Sequence, residues 1–156
     1  MANLEKNEYD LFLSFELSTQ HKAILMKTKL KNYYTIETKQ DKDVEQLITS
    51  IKSCKIFICF LTKKYLETNQ CKVELLFASE IRKCVILLLM DEFDNNEIDS
   101  FDAQMINCFG DKQQHNLYDE CLNDLKSRIN ANLKVNFENY LALKTNFELN
   151  YVENLK

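Results

Sequence analysis

The chain has 156 residues, 46% of them hydrophobic and 28% charged, with a formal net charge of −4. That balance describes one globular domain with enough chain for a substantial core, and it excludes a disordered segment. A net-negative chain lacks the concentrated positive charge that nucleic-acid phosphates require, and no apolar run approaches the ~20 residues that span a bilayer.

Proline is absent and Gly110 is the one glycine, which excludes a glycine-rich phosphate loop. Turns are therefore expected at Asn, Asp, Lys and Ser. The N-terminal tail, residues 1–8, is polar and lacks the apolar core of a secretory signal. A cytoplasmic location is expected, with Cys54, Cys59, Cys71, Cys84, Cys108 and Cys121 as thiols. No two of these cysteines form a C-x-x-C pair, and His21 and His115 show no metal-ligand spacing, so no metal site is expected.

The first predicted strand is Tyr9-Asp10-Leu11-Phe12-Leu13-Ser14-Phe15, apolar on both faces as a central parallel strand should be. Ser18 or Thr19 then caps a helix whose stripe is Ala23, Met26 and Leu30. Tyr33 to Glu37 reads as a short second strand, and Thr38 to Lys42 as a charged loop. Val44, Leu47, Ile48 and Ile51 recur at helical spacing. Lys55 to Leu61 is an unbroken apolar run, the mark of a strand buried on both faces, and a polar loop follows.

Thr68 or Asn69 opens a helix to about Lys83, with Val73, Leu76, Phe77 and Ile81 as its expected buried stripe and Glu74 at the rim. Cys84 to Met90 is a further strand, Asn95 to Ser100 a polar loop, and Gln104 to Phe109 a short last strand. Leu117 to Ala131 reads as a helix through Leu122, Leu125 and Ile129. In residues 132–156, Tyr140, Leu143, Phe147 and Tyr151 fit a helix, whereas Phe147, Leu149 and Tyr151 alone fit a strand. Repeated strand–helix units call for an α/β architecture with helices on both faces of a mostly parallel five-stranded sheet, and the commonest solution at this length is the flavodoxin-like three-layer fold with strand order 2-1-3-4-5.

Two stretches resemble a known family. Tyr9 to Phe15 is similar to the first sequence box of Toll/interleukin-1 receptor (TIR) domains. Ile48 to Leu75, with its apolar strand, Tyr65 and Cys71-x-x-Glu74-Leu75, resembles that family's helix, strand, loop and "tyrosine, then Cys-x-x-Glu-Leu" run. The resemblance covers residues 9–131, taken as the domain, and leaves 132–156 as a C-terminal extension. It implies a signalling module that associates with itself or with other TIR-containing proteins. In many members of the family it also implies an NAD+ glycohydrolase, with NAD+ as substrate and no permanently bound cofactor.

The family's catalytic glutamate maps to Glu74. Ser14 and Phe15 map to the border of the same cleft, and Thr62 and Cys71 are placed beside it. A carboxylate near the ribose would stabilise the positive charge that develops as the nicotinamide bond breaks. Near a helix N-terminus, Glu74 is expected to be held in its charged form. Without the resemblance, Ser14 reads as a strand-end hydroxyl and Phe15 as a core aromatic. Cys71 near a helix N-terminus invites a nucleophile reading, but no His lies near it in sequence, and the resemblance implies a packing role. Glu16 stands where enzymatic members often carry a basic residue, Gln70 where a tryptophan is frequent, and residues 38–42 lack glycine and proline. Those differences motivate the alternative of a non-catalytic adaptor that works by homotypic contacts alone. A receiver domain on the same scaffold needs acidic residues at the ends of the first and third strands, where this chain has Ser14-Phe15 and Leu61-Thr62.

Overall fold

A computed structural model describes residues 9–108 and 114–154. The tail 1–8, Phe109 at the end of the expected last strand, and Gly110 lie outside the described residues. So do the side chains of His115, Tyr140, Leu143, Phe147 and Tyr151.

Five parallel strands form one sheet in the order β2-β1-β3-β4-β5. They are β1 (Tyr9–Ser14), β2 (Ile36–Thr38), β3 (Cys54–Leu61), β4 (Cys84–Leu89) and β5 (Gln104–Asn107). The helices are α1 (Gln20–Leu30), α2 (Val44–Ser53), α3 (Lys63–Glu67), α4 (Asn69–Glu80), α5 (Asn95–Ile98) and α6 (Gln114–Asn154). The expected flavodoxin-like order and three-layer arrangement are both present.

The layers follow from side-chain alternation along the strands. Leu11 and Leu13 of β1 join Ile56, Ile58 and Phe60 of β3 on the face covered by α1 and α6. Phe12, Phe57, Cys59 and Leu61 point to the other face, where α2 and α4 bring Leu47, Ile51, Leu75 and Ala78. Phe12 and Phe57 stack there with ring centroids 5.7 Å apart. Ser14 lies two residues beyond Phe12, so it faces the α4 side.

Several expectations need correction. The buried stripe of α4 is Cys71, Glu74, Leu75 and Ala78, while Val73 and Leu76 are 64% and 56% exposed. Spacing at i, i+3, i+4 and i+7 holds, but the stripe contains a carboxylate and two small residues, so hydropathy alone gives the wrong phase. In α2, Leu47 and Ile51 are buried whereas Val44 is exposed. The strand expected at Tyr33 to Glu37 forms at Ile36–Thr38, because Tyr33 and Tyr34 belong to the turn that closes α1. α3 occupies what read as loop, because the Thr62 side chain accepts the Tyr65 N–H at 2.9 Å and starts a helical turn. α5 forms within the expected 95–100 loop, where Asp94 N–H donates to Glu97 Oε1 at 3.1 Å. Residues 132–154 continue α6, so the strand alternative falls away.

Lack of glycine leaves a mark at the end of α4. Arg82 adopts φ 61°, with Lys83 N–H bonded to Ala78 O at 3.0 Å and Arg82 N–H to Ser79 O at 3.1 Å. This pairing is a Schellman closure built on an arginine in the left-handed region.

Candidate functional site

The chain passes from β1 out to β2 and returns to β3, so the direction of winding reverses between β1 and β3. A crevice opens at the carboxyl ends of the strands at such a point, and open α/β sheets bind ligands there. Ser14 ends β1 in register with Cys59 of β3. α4 crosses beneath the crevice and turns Glu74 towards it.

Glu74 is 2% exposed. Ser14 Oγ donates to Glu74 Oε1 at 3.0 Å, and Ser14 Oγ lies 2.7 Å from the Tyr65 hydroxyl. Glu74 Oε2 is buried without a hydrogen-bond partner among the described residues. Its nearest cation is Lys39, whose Nζ lies 3.9 Å away. The same ammonium donates to Cys71 Sγ at 3.5 Å and sits 5.3 Å from the centroid of the Phe15 ring. Lys39 thus bridges the crevice from the loop after β2 to α4.

Burial raises the Glu74 carboxyl above its ordinary value, against the opposing pull of Lys39 and the Ser14 hydroxyl. The expected stabilisation of the charged form by the helix terminus does not decide its state, because loss of water outweighs it. Burial likewise raises the thiols of Cys71 and Cys59, and the Tyr65 phenol well above its usual range.

Beside Lys39 and Cys71 lies a cavity of about 370 Å³, walled also by Phe15, Glu16, Gln20 and Gln70, among others. Its size falls within the usual range for small-molecule sites. Glu74 is outside that wall, behind Lys39 and Cys71. Ser14, Phe15, Cys71 and Glu74 therefore gather in one place. Thr62 does not join them: its hydroxyl oxygen is engaged as the cap of α3, and it is no part of the cavity wall. Among the described residues no group of three or more His, Cys, Asp or Glu could hold a metal ion, and no helix is long and apolar enough to cross a membrane.

The TIR domain of the Toll-related receptor TRR-2 from Hydra magnipapillata superposes on this chain with a TM-score of 0.61. Sequence identity is 12%, and the match covers 78% of this chain and 98% of that one. The chain has the TIR-domain fold. The TIR domains in the structure of the activated Roq1 resistosome, which directly recognises the pathogen effector XopQ, match at a TM-score of 0.49 with 16% identity, covering 77% of this chain and 72% of that one. No protein-family model matches the sequence, and no curated protein matches it.

Two residues of the TIR fold's crevice are additions to the sequence reading. Lys39 appeared there only as part of a charged loop, and Tyr65 only as part of a pattern. Strand order was the signal for Lys39. With β2 beside β1, the residue after Thr38 must lie at the same carboxyl edge as Ser14 and Phe15. Tyr65 offered a weaker signal, an aromatic in a polar stretch four residues beyond a strand.

Proposed function

We propose that this chain is a self-associating TIR signalling module whose crevice cleaves the nicotinamide–ribose bond of NAD+. One observation supports the reading above all: Glu74 Oε2 is a buried carboxylate oxygen with no hydrogen-bond partner among the described residues, at the switch point of the sheet. Buried polar groups without partners are costly, and they persist where a ligand completes them.

In this reading the ribose lies over Glu74 once Lys39 swings aside. The C1′–N bond breaks, and its electron pair passes to the ring nitrogen. This neutralises the pyridinium and releases nicotinamide. A water oxygen bonds to C1′ and gives its proton to the Glu74 carboxylate, leaving ADP-ribose. The carboxylate also faces the positive charge that spreads over the ribose in the transition state. A carboxyl raised by burial is a better base near neutral pH than an ordinary glutamate. Self-association draws on apolar side chains that stand in solvent, Val73 and Leu76 on α4 and Leu17 and Leu25 near α1. Partners are copies of this chain or other TIR-containing proteins.

The test is release of nicotinamide from NAD+ by the purified chain at high concentration. Equal release by wild type and Glu74→Ala would end the enzymatic reading. A second reading, the adaptor without catalysis, is favoured by the Lys39–Glu74 pair, which covers the carboxylate. It predicts concentration-dependent sedimentation with no turnover.

A further inference from the structure

The crevice contains a string of buried groups longer than the reaction uses. The Tyr65 hydroxyl lies 2.7 Å from Ser14 Oγ, and Ser14 Oγ donates to Glu74 Oε1 at 3.0 Å. All three residues are at most 2% exposed. The direction of each bond follows from counting protons. A serine hydroxyl carries one. Opposite an ionised carboxylate that proton belongs to Glu74, so Ser14 has none left for Tyr65. The phenol must then be the donor to Ser14. Burial keeps the phenol protonated, and the Glu74 charge acts in the same sense.

We propose that Tyr65 is a positioning residue for Glu74. By donating to Ser14, it commits the serine's single proton to the carboxylate, which fixes Glu74 in one orientation and favours its charged form. This inference rests on the reading of Glu74 given above and assigns a task to a residue on a different element. The groups that face the carboxylate are Ser14 from β1, Lys39 from the loop after β2, Cys59 from β3, Tyr65 from α3 and Cys71 from α4. Lys39 is the cation of that set. The two thiols stay protonated because burial raises both. What remains to oppose desolvation of the carboxylate is Lys39 and the Ser14 hydroxyl, and Tyr65 sets the direction of the latter.

The experiment follows the Glu74 carboxyl carbon by NMR titration in wild type, Tyr65→Phe, Ser14→Ala and the double variant. The pH profile of NAD+ turnover is measured alongside. Tyr65→Phe is expected to raise the Glu74 midpoint by about 0.5 unit and to move the acidic limb of kcat/KM by the same amount. In the Ser14→Ala background the tyrosine substitution is expected to add nothing, because its route to Glu74 has gone. Unchanged titration in folded Tyr65→Phe would overturn the proposal, as would an undiminished shift in the Ser14→Ala background. If Tyr65→Phe does not fold, an unchanged Glu74 midpoint in Ser14→Ala overturns it, and a raised one supports it. Absence of NAD+ turnover in wild type would remove the proposed reaction but not this test, since the titration reads the carboxyl directly.

Discussion

Lys39 Nζ, from the loop after β2, stands 3.9 Å from Glu74 Oε2 on α4. The separation is too long for a hydrogen bond and short enough for a strong Coulomb attraction out of water. Lys39 therefore neutralises the carboxylate without satisfying it. The pair holds the crevice covered and leaves one acceptor open.

The stability of the fold should depend on pH through this pair. The folded pKa of Glu74 lies above its unfolded value of 4.5. Between those two values the folded state binds more protons, so stability falls as pH rises through that window. Glu74→Gln removes the titration. It should be more stable than wild type at pH 7 by about 1 kcal/mol, with the difference lost below about pH 4. Lys39→Met acts in the opposite sense. It should lower stability at pH 7 by about 1 kcal/mol, and the loss should shrink in acid, where Glu74 is neutral. Urea unfolding midpoints from pH 4 to 8 give both signs.

The phase of α4 makes a second prediction. Leu75 is 1% exposed and packs with Phe57 and Leu87, while Val73 is 64% exposed. Leu75→Ala should cost about 2–4 kcal/mol through a core cavity, whereas Val73→Ala should stay within about 0.5 kcal/mol. Denaturant midpoints of the two variants decide the phase, and comparable losses would contradict it.

The same helix marks the boundary of what the sequence reveals. Strands β1, β3 and β4, apolar on both faces, announce a parallel sheet, because strands covered on both faces have no polar side to display. The strand–helix alternation calls for parallel pairing, and the order 2-1-3-4-5 is its commonest solution at this length. The face of α4 does not, since its inward stripe is Cys71, Glu74, Leu75 and Ala78, and only one of these is a large hydrophobe. A buried charge looks like a surface charge until its partners are known, and the partners of Glu74 are 60 residues away at Ser14 and 35 residues away at Lys39. α3 was hidden for a local reason, as it depends on one hydroxyl cap at Thr62.

Arg82 supplies a third prediction. A non-glycine residue in the left-handed region costs about 1–2 kcal/mol, and glycine gives back part of that as lost backbone entropy. Arg82→Gly should therefore stabilise the chain by about 0.5–1 kcal/mol. A higher thermal midpoint with no change in secondary structure is the expected result. A lower one would mean that the arginine side chain contributes more than its backbone costs.

The chemistry assigned to the crevice depends on Glu74 having a negative charge to offer. Its most direct measurement is the rate of nicotinamide release from NAD+ by wild type and by the isosteric Glu74→Gln variant, at equal and high protein concentration. The account predicts turnover in wild type and a loss of at least about 100-fold in the variant, with the fold intact. Equal rates in the two proteins, or no release by either, would contradict it.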